Sequence, residues 1–158
     1  MKIFNLNTWM LPLGLSKINN KRFNRIYEFI IKEQPDIICL QEVWFSKYVR
    51  KLEKLDYNVF SQAKGFFNRS GLVTMTKNKH ISEFIKFPEY QSSLLHKAAK
   101  RGFHKVKVED IIFFNAHLYV MPGVENTFIA KKELNIIKKY MKGTCVLCGD
   151  MNIEKKEF

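Results

Sequence analysis

Cys145-Val146-Leu147-Cys148-Gly149-Asp150-Met151-Asn152 decides how the chain is to be read. Four apolar residues make a short buried strand that delivers a carboxylate and an amide at its tip. The strand fixes their positions, Gly149 lets another group come close, and alternation along an extended chain puts Asp150 and Asn152 on one face. The same tetrapeptide also reads as a strand end followed by an Asx-type turn. Three earlier strand ends shift the balance toward a site, because they too stop in polar residues: Asn7, Glu42, and the pair Asn115 and His117.

The pattern around these ends predicts the elements. Residues 2–6 alternate as a first strand that ends at Asn7-Thr8-Trp9, and a loop with Pro12 and Gly14 follows. Asn19 or Asn20 caps a helix over 21–33, with Phe23, Ile26 and Ile30 facing inward, and Pro35 stops it. Residues 37–40 are continuously apolar, as a strand buried on both faces is, and end in Gln41-Glu42-Val43-Trp44. A basic helix over 46–55 leads to a strand over 57–61 and a flexible, basic, aromatic loop over 65–71. Residues 72–76 and 81–87 read as antiparallel strands, and residues 89–102 are irregular and carry Lys97, Lys100 and Arg101. A hairpin over 103–118 turns at Glu109-Asp110. The clearest helix, 125–142, sets Ala130, Leu134, Ile137 and Met141 against a lysine-rich opposite face. Alternating helices and strands with a hairpin-rich middle predict an α+β fold, a mixed sheet sandwiched by helices.

The chain has 158 residues, 46% hydrophobic and 14% aromatic, which is enough for one packed domain and too little for two. Its net charge of +12 points to an anionic partner, a nucleic acid or a lipid surface. Of the 27 basic residues 22 are Lys, whereas phosphate-reading surfaces lean on the forked guanidinium of Arg. Cys39, Cys145 and Cys148 are an odd, sparse set that reads as reduced core thiols in a cell. A spacing of three on a strand turns Cys145 and Cys148 to opposite faces, so a zinc knuckle is excluded. Asn5 and Asn7 break the apolar N-terminus and no small-residue cleavage site follows, so no signal peptide is evident. No stretch approaches the ~18 apolar residues of a membrane span. A cytoplasmic or peripheral-membrane location is expected.

Carboxylates and amides at strand tips, with one histidine, describe a hard-cation site. Oxygen ligands such as Glu42, with Asp150, suit magnesium, which takes few carboxylates and keeps several waters; manganese is the alternative. Such a site suits a phosphodiester: the cation neutralises phosphoryl oxygens, amides hold them and a carboxylate orients water. Each residue also has a plainer reading. Asn7 could satisfy its own backbone, His117 could be a half-buried core histidine, and Lys97, Lys100 and Arg101 could be a solvated loop.

Five motifs, 4–9, 40–43, 70–72, 115–118 and 149–152, resemble in order and approximate spacing those of the endonuclease/exonuclease/phosphatase superfamily, the DNase I-like fold. The opening Asn7-Thr8-Trp9-Met10-Leu11-Pro12, the triplet Glu42-Val43-Trp44 and Ser70-Gly71-Leu72 are most similar to its neutral sphingomyelinase branch. The resemblance implies a four-layer α/β/β/α sandwich spanning 1–158 and Mg²⁺-dependent cleavage of a phosphodiester, sphingomyelin or a related phospholipid, with a nucleic acid as the alternative substrate. It implies Glu42 as principal metal ligand with Asn7 beside it, and His117 on a phosphoryl oxygen. Asp150 and Asn152 would orient water and phosphate, and Asn115, Lys100 and Arg101 would contact substrate. One departure stands out. The family closes on further strands with an Asp-His pair that supplies the general base, and no Asp is followed by His here. The resemblance therefore implies a chain lacking its final strands, and a lost general base costs ~10²–10⁴-fold in rate. A remnant that binds anionic surfaces, including an anionic membrane, without turnover is the third expectation.

Overall fold

In the computed structural model, residues 1–12, 18–88, 99–119 and 124–153 are described, the side chains of 124–127 excepted. The strands are β1 (Ile3–Met10), β2 (Ile37–Val43), β3 (Asn58–Lys64), β4 (Phe67–Thr76), β5 (Ile81–Lys86), β6 (Gly102–Val108), β7 (Ile111–His117) and β8 (Thr144–Asp150). The helices are α1 (Asn19–Glu33), α2 (Ser46–Leu52) and α3 (Val124–Tyr140). One sheet runs β1-β2-β4-β3 and the other β5-β6-β7-β8. Each holds one parallel pair, β1 with β2 and β7 with β8, beside antiparallel partners.

Alternation sorts the strand residues into layers. Ile38 and Leu40 of β2 turn outward and pack with Phe23, Ile26 and Ile30 of α1 and Tyr48, Val49 and Leu52 of α2. Phe103, Phe114 and Ala116 of the second sheet pack on Ala130, Leu134 and Ile137 of α3. Ile37, Cys39, Val106, Phe113 and Cys148 fill the space between the sheets. The result is the expected helix–sheet–sheet–helix stack. Fully burying each such Leu, Ile or Phe stabilises by about 1.5–3 kcal/mol relative to leaving it exposed. Cys145 turns to the α3 side and Cys148 to the inner layer, the opposite faces that their spacing requires.

Four local expectations are corrected. Helix α1 begins at Asn19 with no side-chain cap on Ile18. Asn19 donates instead to the Leu11 carbonyl, and Asn20 accepts from the Tyr48 hydroxyl. The expected loop over 65–71 is mostly strand. Asn68 is buried and its amide donates to the Val43 and Leu72 carbonyls, replacing ladder bonds where Gly71 (φ +69°) lets the chain pass under the Trp44 ring. Residues 72–76 and 81–87 do not pair with each other. Strand β4 is already bonded along both edges, to β2 and β3, so the chain crosses after Thr76 and β5 joins β6. Helix α2 closes at Leu52, short of residue 55. Lys97 and residues 13–17 of the expected first loop lie outside the described residues.

His104 sits between the sheets, fully buried against Phe60 and Phe84, its Nδ1 2.9 Å from Thr74 Oγ1. Its Nε2 is buried without a hydrogen-bond partner. Burial, and then the nearby His80, push its pKa down to about 3. The unfolded chain binds this proton near pH 6.5, so stability is intact above that pH. It falls as the pH drops from about 6.5 toward 3, by about 1.4 kcal/mol per unit. Urea midpoints measured from pH 7 to pH 5 should therefore fall more steeply for the native chain than for His104→Gln. Equal slopes would contradict this role.

Candidate active site

The space between the sheets changes character along the strands. At one end it is hydrocarbon: Ile37, Cys39, Phe113 and Cys148. One residue pair further along it is amide. Gln41 Nε2 donates to Asn115 Oδ1 at 2.8 Å and to Asn5 Oδ1 at 3.0 Å, and Asn5 Nδ2 donates to the Gly149 carbonyl at 3.2 Å. Asn115 Nδ2 donates in turn to the Leu40 and Val73 carbonyls and to Thr74 Oγ1. At the C-terminal ends of β1, β2, β7 and β8 the layer becomes charged, with Asn7, Glu42, His117 and Asp150.

Asn7 is the hub. Its Oδ1 accepts the Trp9 N–H at 2.9 Å, which fixes which way the amide points. Its Nδ2 then donates to Glu42 Oε1 and to Asp150 Oδ2, both at 2.8 Å, one carboxylate from each sheet. Glu42 shares the parity of Ile38 and Leu40 and would face the helices if β2 stayed extended. Its φ of +60° turns it to the cleft. Trp9 and Asn152 are also left-handed, at φ +47° and +49°. Such non-glycine positions cost on the order of 1–3 kcal/mol each. Three of the five in the described chain flank this one site, while Gln34 caps α1 and Glu109 turns a hairpin.

Gly149 does what the sequence asked of it, but the close neighbour is backbone. A Cβ there would lie 2.0 Å from the Ala116 carbonyl oxygen of β7, at φ +144°. The approach sets Asp150 level with His117 in the parallel ladder. His117 Nε2 lies 3.8 Å from Glu42 Oε1. Burial holds its pKa below the usual imidazole value, the Glu42 and Asp150 carboxylates pull it back up, and Arg101 lowers it again. Asn152 reaches the site differently from the alternation expected of a strand. Strand β8 ends at Asp150, whose Oδ1 accepts the Asn152 N–H at 3.2 Å, so the Asx turn forms as well. The Asn152 side chain donates to the Leu118 carbonyl at 3.0 Å.

The residues expected to bind substrate divide. Asn115 is 1% exposed and its amide is spent between the sheets, so it supports the site from beneath. Arg101 grips Glu133 of α3 in a bidentate pair at 2.8 Å and lies 5.1 Å over the Tyr119 ring. Glu133 is fully buried and also accepts the Tyr119 N–H at 2.7 Å. Lys100 has an exposed side chain, and its N–H donates to the Arg69 carbonyl. Glu133 was readable as the one acid on the apolar face of α3, between Ala130 and Ile137, and Gln41 as the one amide in a buried strand.

The donor set fits a hard divalent cation. Among the described residues Glu42 Oε2 is buried without a hydrogen-bond partner, an oxygen whose desolvation none of them offsets. Among the described residues no three His, Cys, Asp or Glu side chains converge to hold a metal. A cation here would be held by one or two carboxylates and water, which is the habit of magnesium.

A family model, Endonuclease/Exonuclease/phosphatase family, matches residues 5–155, nearly the whole chain and every polar strand tip described above. The chain belongs to the endonuclease/exonuclease/phosphatase family. A curated relative, an uncharacterized calcium-binding protein of Arabidopsis thaliana, is 25% identical over 85% of this chain and 34% of its own length. Among solved structures, sphingomyelinase C of Streptomyces griseocarneus superposes with a TM-score of 0.74 at 16% identity, covering 98% of this chain and 65% of that one. TDP2 of D. rerio, complexed with single strand DNA product, gives a TM-score of 0.70 at 22% identity, covering 99% and 62%. These likenesses show the endonuclease/exonuclease/phosphatase fold. The chain spans about a third of the curated relative and about two thirds of the solved structures.

Removing one partner of a buried ion pair strands the other charge, at a cost of about 3–5 kcal/mol. Arg101→Gln should therefore lower the free energy of urea unfolding by roughly that amount. A variant as stable as the native chain would free Arg101 for the substrate role expected from the sequence.

Proposed function

We propose that this chain is a divalent-metal-dependent phosphodiesterase that hydrolyses a phospholipid headgroup, in the manner of a sphingomyelinase. The observation that carries the reading is the buried, unpartnered Glu42 Oε2 beside an amide that joins Glu42 to Asp150. Glu42 would hold the cation, magnesium or manganese, with Asn7 adjacent. Bound there, the cation supplies neutralisation of the phosphoryl charge. Asp150, its carboxylate set by Asn7 and Asn152, orients the attacking water. His117, kept largely neutral by burial, is placed to hydrogen-bond a phosphoryl oxygen or accept a proton. Asn152 holds the phosphate side of the cleft, and its Leu118 bond keeps the β8 tip from swinging away.

The lipid substrate is favoured over a nucleic acid by the opening Asn7-Thr8-Trp9-Met10-Leu11-Pro12 and by Trp44 two residues after Glu42, both similar to the sphingomyelinase branch. The net charge of +12 favours a nuclease as second reading. DNA binding that weakens steeply with salt, together with chelator-sensitive cleavage, would be its signature.

Headgroup release from sphingomyelin dispersions is the direct assay. The native chain should release phosphorylated headgroup with magnesium and stop on chelation, and Glu42→Gln should lower the rate about 10²–10³-fold while staying folded by circular dichroism. Magnesium-dependent release unchanged in Glu42→Gln would remove Glu42 as the ligand.

A further inference from the structure

Four aromatic rings among the described residues are at least half exposed: Trp9 (63%), Phe66 (83%), Phe67 (50%) and Phe128 (60%). They come from three distant parts of the sequence, yet the topology brings all four to one end of the sandwich. Trp9 is the penultimate residue of β1, two residues past Asn7. Phe66 sits in the β3–β4 turn and Phe67 opens β4, and β4 runs antiparallel to β2, so this turn stands at the end of β2 that carries Glu42. The Phe66 carbonyl accepts the Ser46 N–H at 3.0 Å and Asn68 N–H donates to the Trp44 carbonyl at 2.8 Å, which bolts the turn to the segment just after Glu42. Phe128 precedes Glu133 on α3 by more than a turn. Glu133 is tied to Tyr119, just past the end of β7, so Phe128 extends beyond the His117 end of the second sheet. The most exposed apolar side chain at the opposite end is Ile81, 77% exposed at the start of β5.

Cations lie over two of these rings and beside the turn that carries the other two. Lys132 Nζ is 4.1 Å from the Phe128 centroid and the Arg22 guanidinium 5.9 Å from that of Trp9. Phe67 packs on Phe45, which has Lys47 Nζ at 5.8 Å, and Arg50 donates to the Gly65 carbonyl in the turn itself. An apolar tip with a positive collar is what seats at an anionic lipid surface: rings enter the headgroup boundary while ammonium and guanidinium groups stay among phosphates. Aromatic rings also stack on single-stranded bases, but that use needs them side by side along a groove. Here they stand around a rim, on β1, on a hairpin and on α3 across the cleft. A surface can meet them together and a strand cannot.

We infer that the rim formed by Trp9, Phe66, Phe67 and Phe128 docks this chain on an anionic phospholipid surface, with the Glu42–Asp150 cleft facing the headgroups. The docking face is thus the strand-end rim. This inference extends the proposed lipid substrate and rests on that reading for its purpose, though not for its geometry.

Co-sedimentation of the 158-residue chain with phosphatidylcholine vesicles containing phosphatidylserine tests it. The native chain should pellet with these vesicles, and Phe66→Ser and Phe128→Ser should each bind about tenfold more weakly. Ile81→Ser, altered at the far end, should bind as the native chain does. Equal losses in Ile81→Ser and Phe66→Ser would overturn the inference, and so would Phe66-dependent binding to a single-stranded oligonucleotide without vesicle binding. Headgroup release from detergent-dispersed sphingomyelin separates the two claims. Phe66→Ser should retain the native rate there, because the substrate no longer lies in a surface. Vesicle binding through Phe66 without release in either form would sustain the docking face and sink the reaction.

Discussion

One side-chain amide closes the molecule where its chemistry lies. Asn7 Nδ2 has two protons, and each goes to a carboxylate oxygen from a different sheet, Glu42 on β2 and Asp150 on β8. Two carboxylates brought this close repel each other in a low-dielectric cleft, and a neutral donor between them lowers that cost without neutralising either. It leaves Glu42 Oε2 without a partner of its own. Charge-assisted hydrogen bonds are the strong ones, so the hub both holds the sheets together and keeps the acids aimed.

The rest of the inner layer prepares for that hub. Hydrocarbon at the far end gives the sheets their cohesion, and the amide tier of Asn5, Gln41 and Asn115 then carries the packing from apolar to charged. Gln41 donates to Asn115 and Asn5, and Asn115 donates to the Leu40 and Val73 carbonyls and to Thr74, so the charged tier rests on a hydrogen-bonded floor that ties both sheets. The left-handed residues Trp9, Glu42 and Asn152 lie on the rim of this floor, where neighbours on both sheets can hold strained backbone in place. The exposed rings of β1, the β3–β4 turn and α3 stand at the same end of the sandwich, so cleft and rim share one frame.

Much of this was legible in the residues. Alternation in β1, the continuous apolar runs of β2 and β8 and the helical spacing of Phe23, Ile26 and Ile30 gave the layers, and four polar strand tips pointed to the cleft. Other features could not be read because they depend on contacts distant in sequence. That β5 must leave β4 follows from β4 having both edges paired, which no local pattern reveals. Phe67 to Gly71 looked like a loop because Asn68, Arg69, Ser70 and Gly71 are poor strand formers. The buried Asn68 amide and the Trp44 ring over Gly71 supply what the ladder lacks. Arg101 looked like a phosphate ligand until its partner Glu133, 32 residues away, was in view. Glu42 needed its left-handed turn to reach the cleft at all.

The most direct test of the hub is a magnesium titration followed by NMR of the Asn7 side-chain amide. If Glu42 holds the cation beside Asn7, those two amide proton signals should shift saturably with magnesium in the native chain and stay still in Glu42→Gln. Signals that do not respond in the native chain, or that respond equally in Glu42→Gln, would contradict a metal site at Glu42 joined through Asn7 to Asp150.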